Sequence, residues 1–353
     1  MWTFETLVNE PAAWLGATGP HSGVVLSTRV RLARNLADEP FPNRADVESL
    51  ARVRESVLAA VAKSNYLANA LVLDMEKVVP AMREVLVERH ITSHGFGRTP
   101  TGRAVVIGER EVMSGMVNEE DHLRLQCIRS GLEPVDAWRL VERLDSQLDQ
   151  NLHYAYSSDW GYLTACPTNV GTGIRVSVLV HLAGLVRSGR VARVLGSVSK
   201  LGLTVRGFYG EGSAALGGFF QVSNQTTLGQ SEEDIAYTVE RVAGKLAVLE
   251  DETREALLSN RRVEIEDEVH RAHAVLSSAR LLSADEAMRL CSSLRLGVAT
   301  EILSSPGLAA VNRLLVVTQP GHLEYGRRGD ASAPGLDELR AGLARRELAR
   351  PNT

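Results

Sequence analysis

Cysteine is scarce. The 353 residues contain three, at 127, 166 and 291, and their spacing gives neither a disulfide framework nor a zinc site. A reducing, cytoplasmic setting is expected. No apolar run is long enough to span a bilayer, and Met1-Trp2-Thr3-Phe4-Glu5 does not read as a signal peptide. Excess charge is missing too: a net −4 argues against a general binder of nucleic acid or membranes. There is no internal repeat and no Gly-x4-Gly-Lys-Ser/Thr pattern, so a nucleotide would have to be held without a Walker A loop. What remains, 44% hydrophobic and 23% charged, is an ordinary globular composition, long enough for a large core and two domains.

Along the chain, Val24–Leu32 alternates as a strand. Val24, Leu26, Thr28, Val30 and Leu32 fall on one face, and Ser27, Arg29 and Arg31 on the other. The second set is either an anion-binding face or a solvated one. Residues 47–61 and 82–90 have helical periodicity, and the glycine-rich run from His94 to Gly102 reads as a lid-like loop. Strands over 104–107 and 112–117 lead to Asn118-Glu119-Glu120-Asp121-His122, and a further strand over 123–128 carries Arg124. No partner spacing supports His122 as a metal ligand, and no metal is expected on protein side chains. After a helix over 135–151, Cys166-Pro167-Thr168-Asn169-Val170-Gly171-Thr172-Gly173-Ile174-Arg175 forms a turn whose backbone N–H groups suit an anion. It runs into 176–185, which reads as a buried helix. A glycine-rich loop presents Glu211, and Phe219–Ser223 is a short strand. Ser231 caps a long helix ending near residue 255, and strand patterns nearly vanish beyond it. Helices are expected over 263–281, 284–303 (capped by Ser283), 309–317 and 336–350. The domain boundary is placed near 254–262: a catalytic region over 1–255, with core motifs in 23–255, then a helical domain over 256–353. The mixture of short strands and helices indicates α+β.

Arg29, Arg31, Arg124, Arg175 and Arg206 lie on separate strands and loops, beside the isolated carboxylates Glu120 and Glu211. Guanidinium forks can spread over a triphosphate without a P-loop. Phosphoryl transfer depends mainly on such positioning and charge stabilisation. Carboxylates would repel a phosphate unless they hold a cationic acceptor. A guanidinium fits that role, and with a pKa above 12 it needs a placed base to become a nucleophile.

Ser27-Thr28-Arg29-Val30-Arg31, Asn118 to Arg124, Cys166-Pro167-Thr168-Asn169 and Gly210-Glu211 together resemble the phosphagen (guanidino) kinases over about residues 23–255. Gly207-Phe208-Tyr209-Gly210-Glu211-Gly212-Ser213 and Ser223-Asn224-Gln225 are similar to its bacterial protein-arginine kinase branch. The helical segment that precedes the catalytic domain of arginine and creatine kinases has no counterpart here, and a C-terminal helical domain is present; both agree with that branch.

The resemblance implies a mostly antiparallel curved sheet flanked by helices, with ATP and Mg²⁺ as cofactors. It implies that the five arginines hold the nucleotide phosphates, with Ser27, Thr28, Val30, Val176, Ser177, Gly207 and Gly210 alongside and His90 near the adenine. Glu120 and Glu211 would grip the acceptor guanidinium, one or both as base, with Cys166 beside them. As partners it implies arginine-bearing proteins, a zinc-binding activator, a Clp-type unfoldase–protease that degrades marked proteins in stress and quality control, and a second copy in a homodimer. The branch's phosphoarginine-sensing Arg-Asp-x-x-Arg-Ala motif corresponds here to Leu336-Asp337-Glu338-Leu339-Arg340-Ala341, leaving Asp337 and Arg340 as a reduced site. Two other readings stand beside the protein-arginine kinase: a kinase for free arginine or another small guanidino compound, and a non-catalytic phosphoarginine-binding adaptor.

Overall fold

The computed structural model describes residues 3–208, 216–327 and 334–350. Its strands are β1 (Val25–Arg34), β2 (Leu71–Asp74), β3 (Ala104–Ile107), β4 (Met113–Val117), β5 (Leu123–Ser130), β6 (Tyr156–Ser157), β7 (Gly161–Tyr162), β8 (Ile174–His181), β9 (Leu203–Arg206) and β10 (Phe219–Asn224). Its helices are α1 (Phe4–Asn9), α2 (Val47–Ala62), α3 (Pro80–Glu88), α4 (Pro134–Asp149), α5 (Ala183–Arg187), α6 (Val191–Ser199), α7 (Glu232–Ser278), α8 (Ala284–Ala299), α9 (Leu308–Val317), α10 (Pro320–Arg327) and α11 (Leu336–Leu348). Among the described residues, none of the helices is long and apolar enough to cross a membrane.

Eight strands form one sheet in the order β2-β3-β4-β5-β1-β8-β10-β9, and every pairing is antiparallel. β6 and β7 make a separate hairpin. The inward face of β1, β5 and β8 (Val30, Leu32, Leu125, Val176, Val178) joins the apolar faces of α2, α4 and α7 in the largest core.

The other face of the sheet divides in two. Toward one end, Leu26, Ile128, Leu179 and Phe219 pack with residues from α8, α9 and α11 in a second core. A register shift between Val25 and Ser27 accounts for Leu26. It moves that side chain away from Val30 and Leu32, with which simple alternation had grouped it. The remainder of this face is polar and forms the floor of a groove.

Several expectations need correction. Residues 176–185 are not a buried helix but the second half of β8 and the short α5. An apolar run of that length does not distinguish helix from buried strand, and Ile174, Val176, Val178 and Val180 are the β-branched set that suits a strand packed between neighbours. The turn before it therefore leads into a strand, and its only helical backbone is a single 3₁₀ turn at Pro167–Asn169. The two helices expected either side of residue 260, by contrast, are present as the two arms of α7, which meet at a kink where Arg261 leaves helical geometry (φ −140°, ψ 36°). Ser231 caps α7 by accepting from the Asp234 N–H at 3.1 Å, and Ser283 caps α8 from Glu286 at 3.3 Å. α10 and β2 had no signal strong enough to be expected.

Beneath the sheet, Arg34 is almost wholly buried. It donates to Asp145 from Nε (2.9 Å) and to Glu232 from Nη2 (3.1 Å), and lies 3.5 Å above the centre of the Tyr162 ring. The two carboxylates hold the Arg34 guanidinium firmly protonated. Removing Asp145 takes the nearer of two counter-charges from a buried guanidinium and leaves Glu232 alone to balance it, so Asp145→Ala is expected to cost about 3 kcal/mol of unfolding free energy. Urea denaturation measures it; a loss of less than about 1 kcal/mol, the scale of an exposed pair, would contradict the assignment.

Candidate active site

The polar face of the sheet is built by register. β1 sets Arg31 opposite Arg175 of β8 and Gln126 of β5, and Arg29 opposite Ser177. β10 sets Gln221 opposite Arg206 of β9 and Leu179 of β8. A groove of about 370 Å³ lies over this floor, lined by Arg29, Arg31, Arg206, Gln126 and Gln221. Its wall is the chain from Val87 to Gly95, including His90. A smaller hollow of about 20 Å³ shares Arg29, His90 and Gln221 and is otherwise lined by Ser27, Ser177, Ile128, Leu179 and Phe208. The groove thus has a cationic part and an apolar end.

The cationic part is crowded. Like charges placed directly opposite across a strand pair are destabilising, and Arg31 faces Arg175 in that way. Burial, followed by Arg124 and Arg175, pushes the Arg29 guanidinium down to about 10; Glu119 acts in the opposite sense. Arg31 is pushed down further, first by burial and then by Arg29, Arg124 and Arg175. Such a cluster is strained by its own charge, and a bound polyanion relieves that strain. Gln221 accepts a long bond from Arg29 Nη2 at 3.4 Å, and its place beside the arginines follows from strand pairing rather than from any local motif.

The acidic run is the turn between β4 and β5. Asn118 takes a left-handed conformation (φ 60°), which asparagine tolerates better than most side chains. Its Nδ2 donates to the Leu50 and Gly102 carbonyls at 2.8 Å each. The three carboxylates diverge. Glu120 is about half exposed, 3.8 Å from Arg124 Nη1. Glu119 accepts from Ser93 Oγ and lies 3.9 Å from Arg124 Nε. Asp121 is fully buried. His122 receives the Leu36 N–H on Nδ1 at 3.0 Å and places Nε2 3.0 Å from the Pro40 carbonyl, so both ring nitrogens are engaged in structure. Among the described residues, no group of three or more His, Cys, Asp or Glu could hold a metal ion.

Cys166 is half-buried, with Sγ 3.1 Å from Thr168 Oγ1. Its loop is pinned by Thr227, whose Oγ1 donates to the carbonyls of Thr168 (3.0 Å) and Val170 (2.7 Å). The lid-like run is anchored as well: Phe96 is buried, its carbonyl accepts from Arg103 at 2.7 Å, and the Gly97 carbonyl accepts from Arg83 at 2.9 Å.

Of the expected nucleotide-site residues, Ser27, Arg29, Arg31, His90, Ser177 and Arg206 line the groove or its apolar end. Arg124 and Arg175 belong to the same charge cluster. Thr28, Val30 and Val176 turn the other way. Thr28 Oγ1 donates to the Gly131 carbonyl at 2.7 Å, and the two valines are core residues. Gly207 follows β9, while Gly210 and Glu211 lie outside the described residues. Asp337 and Arg340 do pair, at 2.6 Å, but Arg340 is buried. It donates Nε to the Thr318 carbonyl (2.9 Å) and Nη1 to that of Leu282 (2.8 Å), which docks α11 rather than presenting a fork to solvent. Gln126, Gln221 and Ser93 were not singled out. The first two could have been found by counting two residues on from Arg124 and by pairing β10 with Arg206.

His90 sits edge-on to Trp14, ring centres 5.3 Å apart. Burial first, then Arg29 and Arg31, pushes its imidazole down to about 3. Because the unfolded chain binds this proton near 6.5 and the folded one does not, His90 favours the folded state fully above pH 6.5, and that contribution declines as pH falls toward 3. An NMR titration of its ring protons is expected to show a midpoint near 3. A midpoint at 6 or above would show that the ring is not held among the arginines.

Comparison with known proteins bears on what occupies such a groove. Residues 52–253 match the family model "ATP:guanido phosphotransferase, C-terminal catalytic domain", and residues 262–353 match "Protein-arginine kinase McsB C-terminal domain". The protein-arginine kinase of Pelotomaculum thermopropionicum is 45% identical, covering 98% of each chain. That of Symbiobacterium thermophilum is 41% identical over 98% of this chain and 99% of its own. Among solved structures, a duplicated taurocyamine kinase from Schistosoma mansoni with bound transition-state-analogue components superposes with TM-score 0.61 at 24% identity, covering 71% of this chain and 36% of that one. A lombricine kinase superposes with TM-score 0.58 at 24% identity, covering 67% and 68%. At that identity the two structures speak for the fold.

Proposed function

Because the chain belongs to the protein-arginine kinases of the ATP:guanido phosphotransferase family, we propose that it transfers the γ-phosphoryl group of ATP to arginine side chains of protein substrates. The observation that carries this reading is the row of guanidinium groups on one sheet face, with the Glu120 carboxylate 3.8 Å from Arg124. The arginines bind the phosphates and neutralise charge that builds on them during transfer. A Mg²⁺ ion arriving with the nucleotide would supply further neutralisation of phosphate charge. Glu120 takes the proton from the attacking guanidinium nitrogen as the N–P bond forms and the bond to ADP breaks. Glu211 would share that task, and Cys166 orients the guanidinium.

Kinship supports the finer parts of the reading: marking of proteins for a Clp-type protease, a zinc-binding activator, and a dimer. The deciding experiment supplies ATP and Mg²⁺ with free L-arginine and, in parallel, with an unfolded arginine-bearing protein such as casein. Acid-labile phosphate is read by mass spectrometry at neutral pH. Phosphate on the protein alone establishes the reading. Phosphate on free arginine alone makes the chain a small-guanidine kinase, and phosphate on neither favours an adaptor.

A further inference from the structure

The two segments that carry Glu120 and Cys166 are far apart in sequence, and their connection is buried and polar. Asp121, fully buried and next to Glu120, accepts with one oxygen, Oδ1, from the Ala165 N–H at 2.7 Å and from Asn35 Nδ2 at 2.7 Å. Ala165 is next to Cys166. Asn35, itself 1% exposed, uses its whole amide: Nδ2 also donates to the Leu163 carbonyl at 3.1 Å, and Oδ1 accepts the His122 N–H at 2.8 Å. The adjoining backbone continues the seam, since the Ala155 N–H donates to the Asn35 carbonyl at 2.7 Å. One buried amide and one buried carboxylate therefore tie the acidic turn, the end of β1 and the strand before the cysteine into a single unit. The ties end one residue from Glu120 on one side and one residue from Cys166 on the other.

We propose that Asn35 and Asp121 are positioning residues that set the separation of Glu120 and Cys166, and so the fit of the acceptor guanidinium between them. The inference rests on the reading of those two residues as the acceptor site. Its physical basis is that buried side chains bonded to each other and to backbone on three segments, here through Asp121 Oδ1 and the whole Asn35 amide, hold those segments in one geometry, and that a shift of about 1 Å at a reacting centre can cost on the order of 10²-fold in rate. The nucleotide groove is built on other side chains of the sheet, so it should be spared.

Asn35→Ala and Asp121→Ala are expected to raise the KM for an arginine-bearing protein by about 10-fold or more, while ATP affinity stays within about twofold of wild type. Alkylation of Cys166 should change rate in both variants; Cys127 and Cys291 are buried and give little background. Asp121→Asn should recover most of the loss, because an amide oxygen can accept both bonds that Oδ1 accepts now. In the unmodified protein, the Ala165 amide should exchange slowly with solvent. Equal losses for nucleotide and acceptor, an unchanged Cys166 alkylation rate, or fast exchange at Ala165 would overturn the proposal, and the exchange measurement decides even if an alanine variant fails to fold. If wild type phosphorylates no guanidine at all, the proposed function fails, and alkylation and exchange still decide whether this linkage exists.

Discussion

Replacing Arg31 with methionine is expected to lower the phosphotransfer rate by about 10³-fold or more and to make the ligand-free protein more stable by roughly 1 kcal/mol. The two effects have one origin. Arg31 stands opposite Arg175 and near Arg29 and Arg124, and burial with these neighbours disfavours its charged form. Without an anion that charge is a cost to the fold; with a triphosphate in the groove it becomes a ligand. Methionine keeps length and apolar contact while deleting the repulsion. Thermal melts with and without ATP separate the terms: the variant should melt higher alone and gain far less from nucleotide than wild type does. A variant that melts lower without ligand, or keeps its ATP-induced shift, would show that Arg31 is not part of the phosphate site.

Glu120→Gln should leave nucleotide binding intact and reduce turnover by about 10²–10⁴-fold, the range for loss of a general base. Glutamine preserves the shape but cannot take the proton from a guanidinium. The ion pair it removes is half-exposed and 3.8 Å long, so little stability should go with it. Losing a negative charge near the phosphates should, if anything, tighten ATP binding. The discriminating pattern is a collapsed kcat with an unchanged or lower KM for ATP. A variant at half of wild-type kcat would move the base to Glu211 alone.

The chemistry of the site was legible where one strand or turn carries it. Alternation in β1 separated Arg29 and Arg31 from Val30 and Leu32, and the order of residues from Asn118 to Arg124 marked the acidic turn. Alternation did not reveal the register shift beside Leu26, which arises from pairing with β8. Nor did a consecutive apolar run over 176–185 reveal that β8 is a strand, because sheet neighbours on either side decide that. Roles that depend on distant partners were out of reach. Asp121 belongs to the same acidic run as Glu120, yet only the Ala165 amide and Asn35 distinguish it. Arg340 reads from sequence as part of a reduced phosphoarginine site, and its bonds to the carbonyls of Thr318 and Leu282 depend on segments far from it in the chain.

The second core couples the last helices of the chain to the groove. Leu26, Ile128, Leu179 and Phe219 of the sheet share it with Leu276, Leu294, Leu314 and Ala344 from the last quarter of the chain. Ile128 and Leu179 also line the apolar end of the groove. The C-terminal helices therefore pack directly behind side chains that line the groove, as a buttress to its apolar end. A chain severed near Arg261 would strip Leu26, Ile128, Leu179 and Phe219 of those partners. Conversely, a displacement of α8 or α11 would disturb Ile128 and Leu179 through the core they share.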